Sequence, residues 1–532
     1  MSNSLTAAAR TRRTLAAATA LSLGLLGVAL TASAASAAPV PGPVTNQTGS
    51  LTIHKYAYPA NGAQNPSGGG TNPTSSPIDG VTFQVCAINN VTSLTDTSNL
   101  GWTQVKNLQN IAGAQTATTL TGTTAGVDST TNFPLGTCTN VTTAGGGIAT
   151  ASNLAVGAYL VREISAPSSV ITMSAPFVVT VPTPADSTAG ATNSGMWEYN
   201  VNVYPKNATG TSPVKTVGDQ SANGYTLGSQ VDFSVSQLIP SLPTGQAYTK
   251  LIVSDVLDAK LTPNTTYVPV VKIGATTLAN PADYTYSWSG QTLTVTLTAS
   301  GLSKLTAGQT LSVGFRATVN AVGTIDNTAT VNLNDLKLDG TTSPTPTNKV
   351  TTRWGNVLGT KTDAGNPTHT LAGATFTVFE TTTTTGTCTV PAGGVTGLTQ
   401  VTQPNSTSPL VVTSNASGSI SIAGLWVGDT STTANDVTNR CYILQETAAP
   451  AGYVLPAGNA ALTAVNVQSG STVTAPTFTI TNNQQLVPGL PLTGADGQVI
   501  LTTAGIALLL VAAGGVLLVI RRRAHAAHTT ES

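Results

Sequence analysis

Side chains able to do chemistry are scarce in this sequence, so their surroundings carry most of the information. Between residues 38 and 493 there are four glutamates, Glu163, Glu198, Glu380 and Glu446. Glu446 ends Tyr442-Ile443-Leu444-Gln445-Glu446, a strand-like run that turns it inward. A lone buried carboxyl is costly as an anion, so Glu446 is expected to stay protonated, its pKa raised. Lys206 closes Trp197-Glu198-Tyr199-Asn200-Val201-Asn202-Val203-Tyr204-Pro205-Lys206. There Val201 and Val203 share a strand face and Pro205 ends the strand, which presents an amine at an edge. Such an amine is a nucleophile once deprotonated, and a lowered pKa would help. Taken alone, Tyr-Pro-Lys describes only a strand end with a solvated lysine. No G-x-S-x-G, H-E-x-x-H or histidine-based triad is present, which argues against a surface enzyme. The same stretch holds only His54 and His369 and no C-x-x-C pair, so no metal or cofactor is expected.

The elements that must position these groups are strands. Val231-Asp232-Phe233-Ser234-Val235, Leu293-Thr294-Val295-Thr296-Leu297 and residues 311–319 alternate apolar with polar. Period two marks half-buried strands, and the Thr and Val content suits a pleated surface. Gly, Pro and Asn punctuate at short intervals, which favours an all-β chain of sandwiches. The first and last thirds repeat one pattern. Gly80-Val81-Thr82-Phe83-Gln84-Val85 is answered by Gly373-Ala374-Thr375-Phe376-Thr377-Val378. Tyr159-Leu160-Val161-Arg162-Glu163 with Ala166-Pro167 is answered by the run ending in Glu446 with Ala449-Pro450. Each copy holds two cysteines, Cys86 and Cys138, then Cys388 and Cys441. Four cysteines allow three pairings, and the domain division prefers Cys86–Cys138 and Cys388–Cys441. Three domains are expected, at 45–206, 207–350 and 351–488.

Only 8% of the 532 residues are charged and the formal net charge is zero, against about 25% charged in an ordinary soluble domain. No Lys/Arg stripe exists, which excludes a nucleic-acid binder. The ends read as targeting segments. Arg10, Arg12 and Arg13, an apolar run and Ala35-Ser36-Ala37 make residues 1–37 a secretory signal. Residues 499–520 carry no charge and are long enough to span a bilayer. Arg521, Arg522 and Arg523 follow, which keeps residues 521–532 cytoplasmic.

Leu490-Pro491-Leu492-Thr493-Gly494 precedes that span. LPxTG, an apolar span and an Arg cluster, in this order, resemble the sorting signal of Gram-positive cell-wall proteins. The resemblance implies cleavage by a sortase between Thr493 and Gly494, with the Thr493 acyl group passed to an amine. The segment from Trp197 to Lys206 resembles the pilin motif of sortase-assembled major pilins, W-x-x-x-V-x-V-Y-P-K, at every fixed position: Trp197, Val201, Val203, Tyr204, Pro205 and Lys206. Tyr442-x-Leu444-x-Glu446-Thr447-x-Ala449-Pro450-x-Gly452-Tyr453 resembles the pilin E-box.

The chain thus resembles the major shaft pilins of Gram-positive bacteria. That resemblance implies three tandem Ig-like (Cna-B-type) β-sandwiches. It also implies autocatalytic Lys–Asn isopeptide bonds, in which a protonated acid polarises the asparagine carbonyl and ammonia leaves. In the third domain the implied trio is Lys361, Glu446 and Asn482, with Asn483 as the neighbouring alternative. In the middle domain it is Lys215, Asp255 and Asn327. In the first domain Lys55 and Glu163 are placed correctly, and the asparagine is Asn207 or Asn202. The first box is degenerate, with Ile164 where the other has Thr447 and no Gly-Tyr ending. The implied partners are identical subunits joined from Thr493 to Lys206, a pilus-specific class C sortase and a housekeeping sortase. Tip or minor pilins, peptidoglycan and a host receptor complete the set. The rival expectations are a monomeric wall-anchored adhesin and a minor or basal pilin.

Overall fold

The structure is a computed structural model that describes residues 39–59, 66–68, 73–123, 130–185, 194–381, 387–470, 473–486 and 495–527. The expected signal segment and the Leu490–Gly494 pentapeptide lie outside the described residues. Almost every described element is a strand, and the chain divides into two compact units.

The first unit comprises residues 1–167 and 173–207. Its larger sheet has six strands, with Thr82–Ile88 flanked by Gly157–Ser165 and Thr130–Thr142. Alternation turns Phe83 and Val85 of the central strand into the core, where both are fully or almost fully buried. Gly49–His54 belongs to a second, three-stranded sheet between Ile148–Leu154 and Asn200–Val203. The last of these pairs parallel to it, Val201 opposite Leu51 and Val203 opposite Ile53. A short helix, Leu100–Lys106, packs Val105 against the cluster around Leu120 and Phe133.

The second unit comprises residues 168–172 and everything from 208 onward. Its leading part is built on Gln230–Leu238 and Thr310–Val319, paired antiparallel over nine residues. Val231, Phe233 and Val235 face Ala317, Phe315 and Val313, and all are buried, as the alternation predicts. The facing sheet centres on Leu251–Val256, between Thr292–Leu297 and Ala329–Leu333. The 14-residue strand Val350–Asp363 then runs across the expected boundary at 350/351. Its start pairs with Gly323–Asn327 and its end runs parallel to Phe478–Asn482. Opposite lies a sheet in which Asn439–Ala448 joins Thr375–Glu380 to Leu462–Gln468.

Both expected disulfides form, Cys86–Cys138 and Cys388–Cys441. The C-terminal element is the helix Ala495–Ala527. Within it Thr502–Arg523 is long and apolar enough to cross a membrane.

Candidate functional site

Three lysines are buried almost completely, and each is held inside a sandwich with a carboxyl group. Lys361 reaches the interior because Lys361 and Asp363 share the inward face of their strand. Its Nζ lies 3.1 Å from Oε2 of Glu446 and donates to Oδ1 of Asn482. The Asn482 amide nitrogen donates to the other carboxyl oxygen, Glu446 Oε1, at 2.8 Å. The carboxyl therefore bridges the lysine nitrogen and the amide nitrogen rather than resting on the carbonyl oxygen. Of the two candidate asparagines, Asn482 is buried and Asn483 is exposed, as pleat alternation requires. Burial lowers the Lys361 pKa, against the opposing pull of Glu446.

The first unit repeats this geometry. Lys55 Nζ lies 3.0 Å from Glu163 Oε2 and 2.5 Å from Asn207 Oδ1, and the Asn207 amide donates to Glu163 Oε1. Burial lowers the Lys55 pKa to about 8, offset in part by Glu163. Asn202 lies elsewhere: its side chain bonds His54, Pro66 O and Asn200 O. In the middle sandwich Lys215 pairs with Asp255, and burial lowers the lysine to about 6. Asn327 is buried, with both side-chain atoms unpartnered among the described residues, as is Asp255 Oδ1. Asp255 lies opposite Ala329, two residues on from Asn327, and no hydrogen bond joins Asn327 to Lys215 or Asp255 among the described residues.

Lys206 opens the strand Lys206–Thr209, directly after Pro205. It remains half-buried, while Asn207 and Ala208 after it are buried. The preceding motif is a scaffold. Trp197 stacks on Trp102 at 5.1 Å and donates to Gly42 O, and Tyr204 stacks on His54 at 4.8 Å. Val203, Tyr204 and Pro205 line one wall of a cleft of about 440 Å³.

Residues 46–208 match the family model for the Gram-positive pilin subunit D1, N-terminal domain, and residues 211–353 match the Sgo0707 N2 domain. Over 538 residues the chain is 36% identical to the fimbrial subunit type 2 of Actinomyces naeslundii, covering 94% of both chains. This chain belongs to the Gram-positive fimbrial subunit family. It is also 30% identical to the fimbrial subunit type 1 of Actinomyces viscosus, over 97% of this chain and 98% of that one. The full-length major pilin SpaD of Corynebacterium diphtheriae shares its fold, with a TM-score of 0.57 at 25% identity, over 83% of this chain and 98% of SpaD. As a fimbrial subunit it is a structural protein of the bacterial surface, not an enzyme, and it polymerises with like subunits.

Several residues of this pilin's sites escaped the sequence reading. The Lys55 ammonium lies 5.4 Å from the Phe83 ring, Lys361 6.0 Å from Phe376, and Lys215 about 5 Å from both Phe233 and Phe315. The repeated Gly-x-Thr-Phe pattern held the signal for the first two. Ser174 donates to Glu163 Oε2 at 2.8 Å, and no motif marks it. Arg440 is also buried, paired with Glu380 at 2.6 Å and stacked on Trp426.

Proposed function

We propose that this pilin is the shaft subunit of a covalent pilus, each Thr493 acyl group being transferred by a sortase to Lys206 of the next subunit. The observation that carries this reading is the contrast in burial between Lys206, which stays half-buried, and Asn207, which is fully buried. One strand leaves its lysine partly open to solvent and commits the next residue to the interior. The final subunit passes to peptidoglycan through a housekeeping sortase, and the shaft supports adhesion. The same reading assigns domains at 45–206, 207–350 and 351–488, with Lys215–Asn327 and Lys361–Asn482 bonds inside the second and third, and a Lys55–Asn207 bond tying the first to the residue that follows it. Its chemistry needs no cofactor. A neutral buried lysine attacks the carboxamide carbon, and the bridging acid carries one proton from that nitrogen to the departing ammonia. Depressed lysine pKa values favour the neutral nucleophile. Unpartnered Asn327 atoms in the core suit a reactant awaiting its bond.

The test is polymerisation in cells. Wild-type chain should give a high-mass ladder in boiling detergent, and Lys206→Ala only monomer. A ladder that persists in Lys206→Ala would sink the assignment of Lys206.

A further inference from the structure

Before any bond can hold it, the last strand of the third sandwich must dock by weaker forces. Phe478–Asn482 offers five residues of parallel pairing to the end of Val350–Asp363, and parallel pairing is slightly the less stable kind. A second fastening, unused by the bond chemistry, lies two residues beyond Lys361. Asp363 is buried and stands in register with Asn482. Its Oδ2 accepts from Tyr453 Oη at 2.9 Å and Gln484 Nε2 at 3.2 Å, and its Oδ1 from Gly365 N at 2.8 Å. His369 Nδ1 lies 3.3 Å from the same phenol oxygen.

Tyr453 arrives there on a turn that needs Gly452, whose φ is +83°. From the turn, Val454 N donates to Asn483 O at 2.9 Å and Gln485 N to Gly452 O at 2.8 Å. Val454 O accepts from the Asn482 amide nitrogen at 3.0 Å. The segment thus grips the strand end by its backbone and the carboxamide by its nitrogen. In the first unit the register partner of Asn207 is Ala57, which cannot accept a phenol. That copy lacks the Gly-Tyr ending, and Ser174 is the extra contact to its acid.

We propose that Tyr453 and Asp363 form a clasp that positions Asn482 for attack by Lys361. Both are positioning residues, and the inference rests on the Lys361–Asn482 bond read above. The clasp holds the Val454 carbonyl over the strand end. Val454 O and Glu446 Oε1 together fix the amide nitrogen, which turns Oδ1 and Cγ toward the lysine. On reaction the Nζ–Cγ bond forms and the Cγ–Nδ2 bond breaks. One amine hydrogen moves through Glu446 to the leaving nitrogen, which departs as ammonia.

The test follows newly made full-length chain by peptide mass. The linked Lys361–Asn482 peptide is about 17 Da lighter than its two parts, for loss of one ammonia. In Tyr453→Phe and Asp363→Asn the linked fraction after a short pulse should fall about tenfold. The Cys388–Cys441 disulfide of the same domain should form as in wild type. A merely structural role would lower both together, and that result overturns the proposal, as does linking at the wild-type rate. In a Lys361→Ala chain, which cannot link, Tyr453→Phe should speed amide exchange at residues 482–485. Unchanged exchange there also counts against the clasp. A wild-type chain without the linked peptide refutes the bond itself, and is told apart because no variant is needed to see it.

Discussion

A lysine shut inside a protein is under strain of a measurable kind until it reacts. Lys215 falls from an ordinary 10.5 to about 6 because burial disfavours its charge. Between those values the unfolded chain holds a proton at this site that the folded chain does not. Stability therefore rises with pH across that window and is lost as pH falls toward 6, by up to about 1.4 kcal/mol per pH unit. A formed amide removes the titrating group, so the slope belongs to the unlinked protein alone. Asn327→Ala keeps the lysine but denies it a partner. Its melting temperature should climb between pH 6.5 and 9.5, while linked wild type shows no matching rise. Parallel curves for the two proteins would show that Lys215 is not the group consumed.

At the scale of elements, the closing strand of the third sandwich depends on a space left open beside it. Gly359 pairs with Phe478, and any Cβ there would meet the phenyl ring. Gly359→Ala should therefore displace the ring, cost about 1–3 kcal/mol as overpacking does, and slow linkage of Lys361 to Asn482. Normal linkage at unchanged stability would mean that the strand docks without that contact. How well such features could be read in advance differs by kind. The strands were legible because Thr and Val alternation writes the pleat directly, as residues 231–235 show. Glu446 and Lys361 were legible because a motif and a first-strand position mark them. The choice of Asn207 over Asn202 was not, because it depends on how Pro205 resets the pleat. Nor was the grip of the Val454 carbonyl, since a backbone group leaves no trace in residue type. The expected boundary at 350/351 falls inside Val350–Asp363, where no Gly or Pro interrupts the first five residues to announce a break.

At the scale of the whole molecule, low charge and internal bonding belong to one mechanical scheme. Surface ion pairs contribute little to stability, so a chain with 8% charged residues gives up little by lacking them. Tension in the proposed polymer enters at Lys206 and leaves at Thr493. Along that path the proposed Lys215–Asn327 and Lys361–Asn482 bonds would bypass most of the middle and third sandwiches. The Lys55–Asn207 bond does not lie on it, because the load joins the main chain only one residue before Asn207. Pulling single subunits from residue 206 to residue 493 should therefore release nothing from within 215–327 or 361–482 in linked wild type or in Lys55→Ala, only the segment 328–360 between the two bonds. Lys361→Ala should expose the 121-residue separation of that pair, at about 3.5 Å per residue. The Cys388–Cys441 disulfide keeps 53 of those residues locked, leaving about 68. The step should thus be about 240 Å under oxidising conditions and about 420 Å after reduction, less the folded span. Steps of equal size with and without reductant would place the disulfide off the load path. A release longer than that segment in wild type itself would show that the bonds do not carry the load.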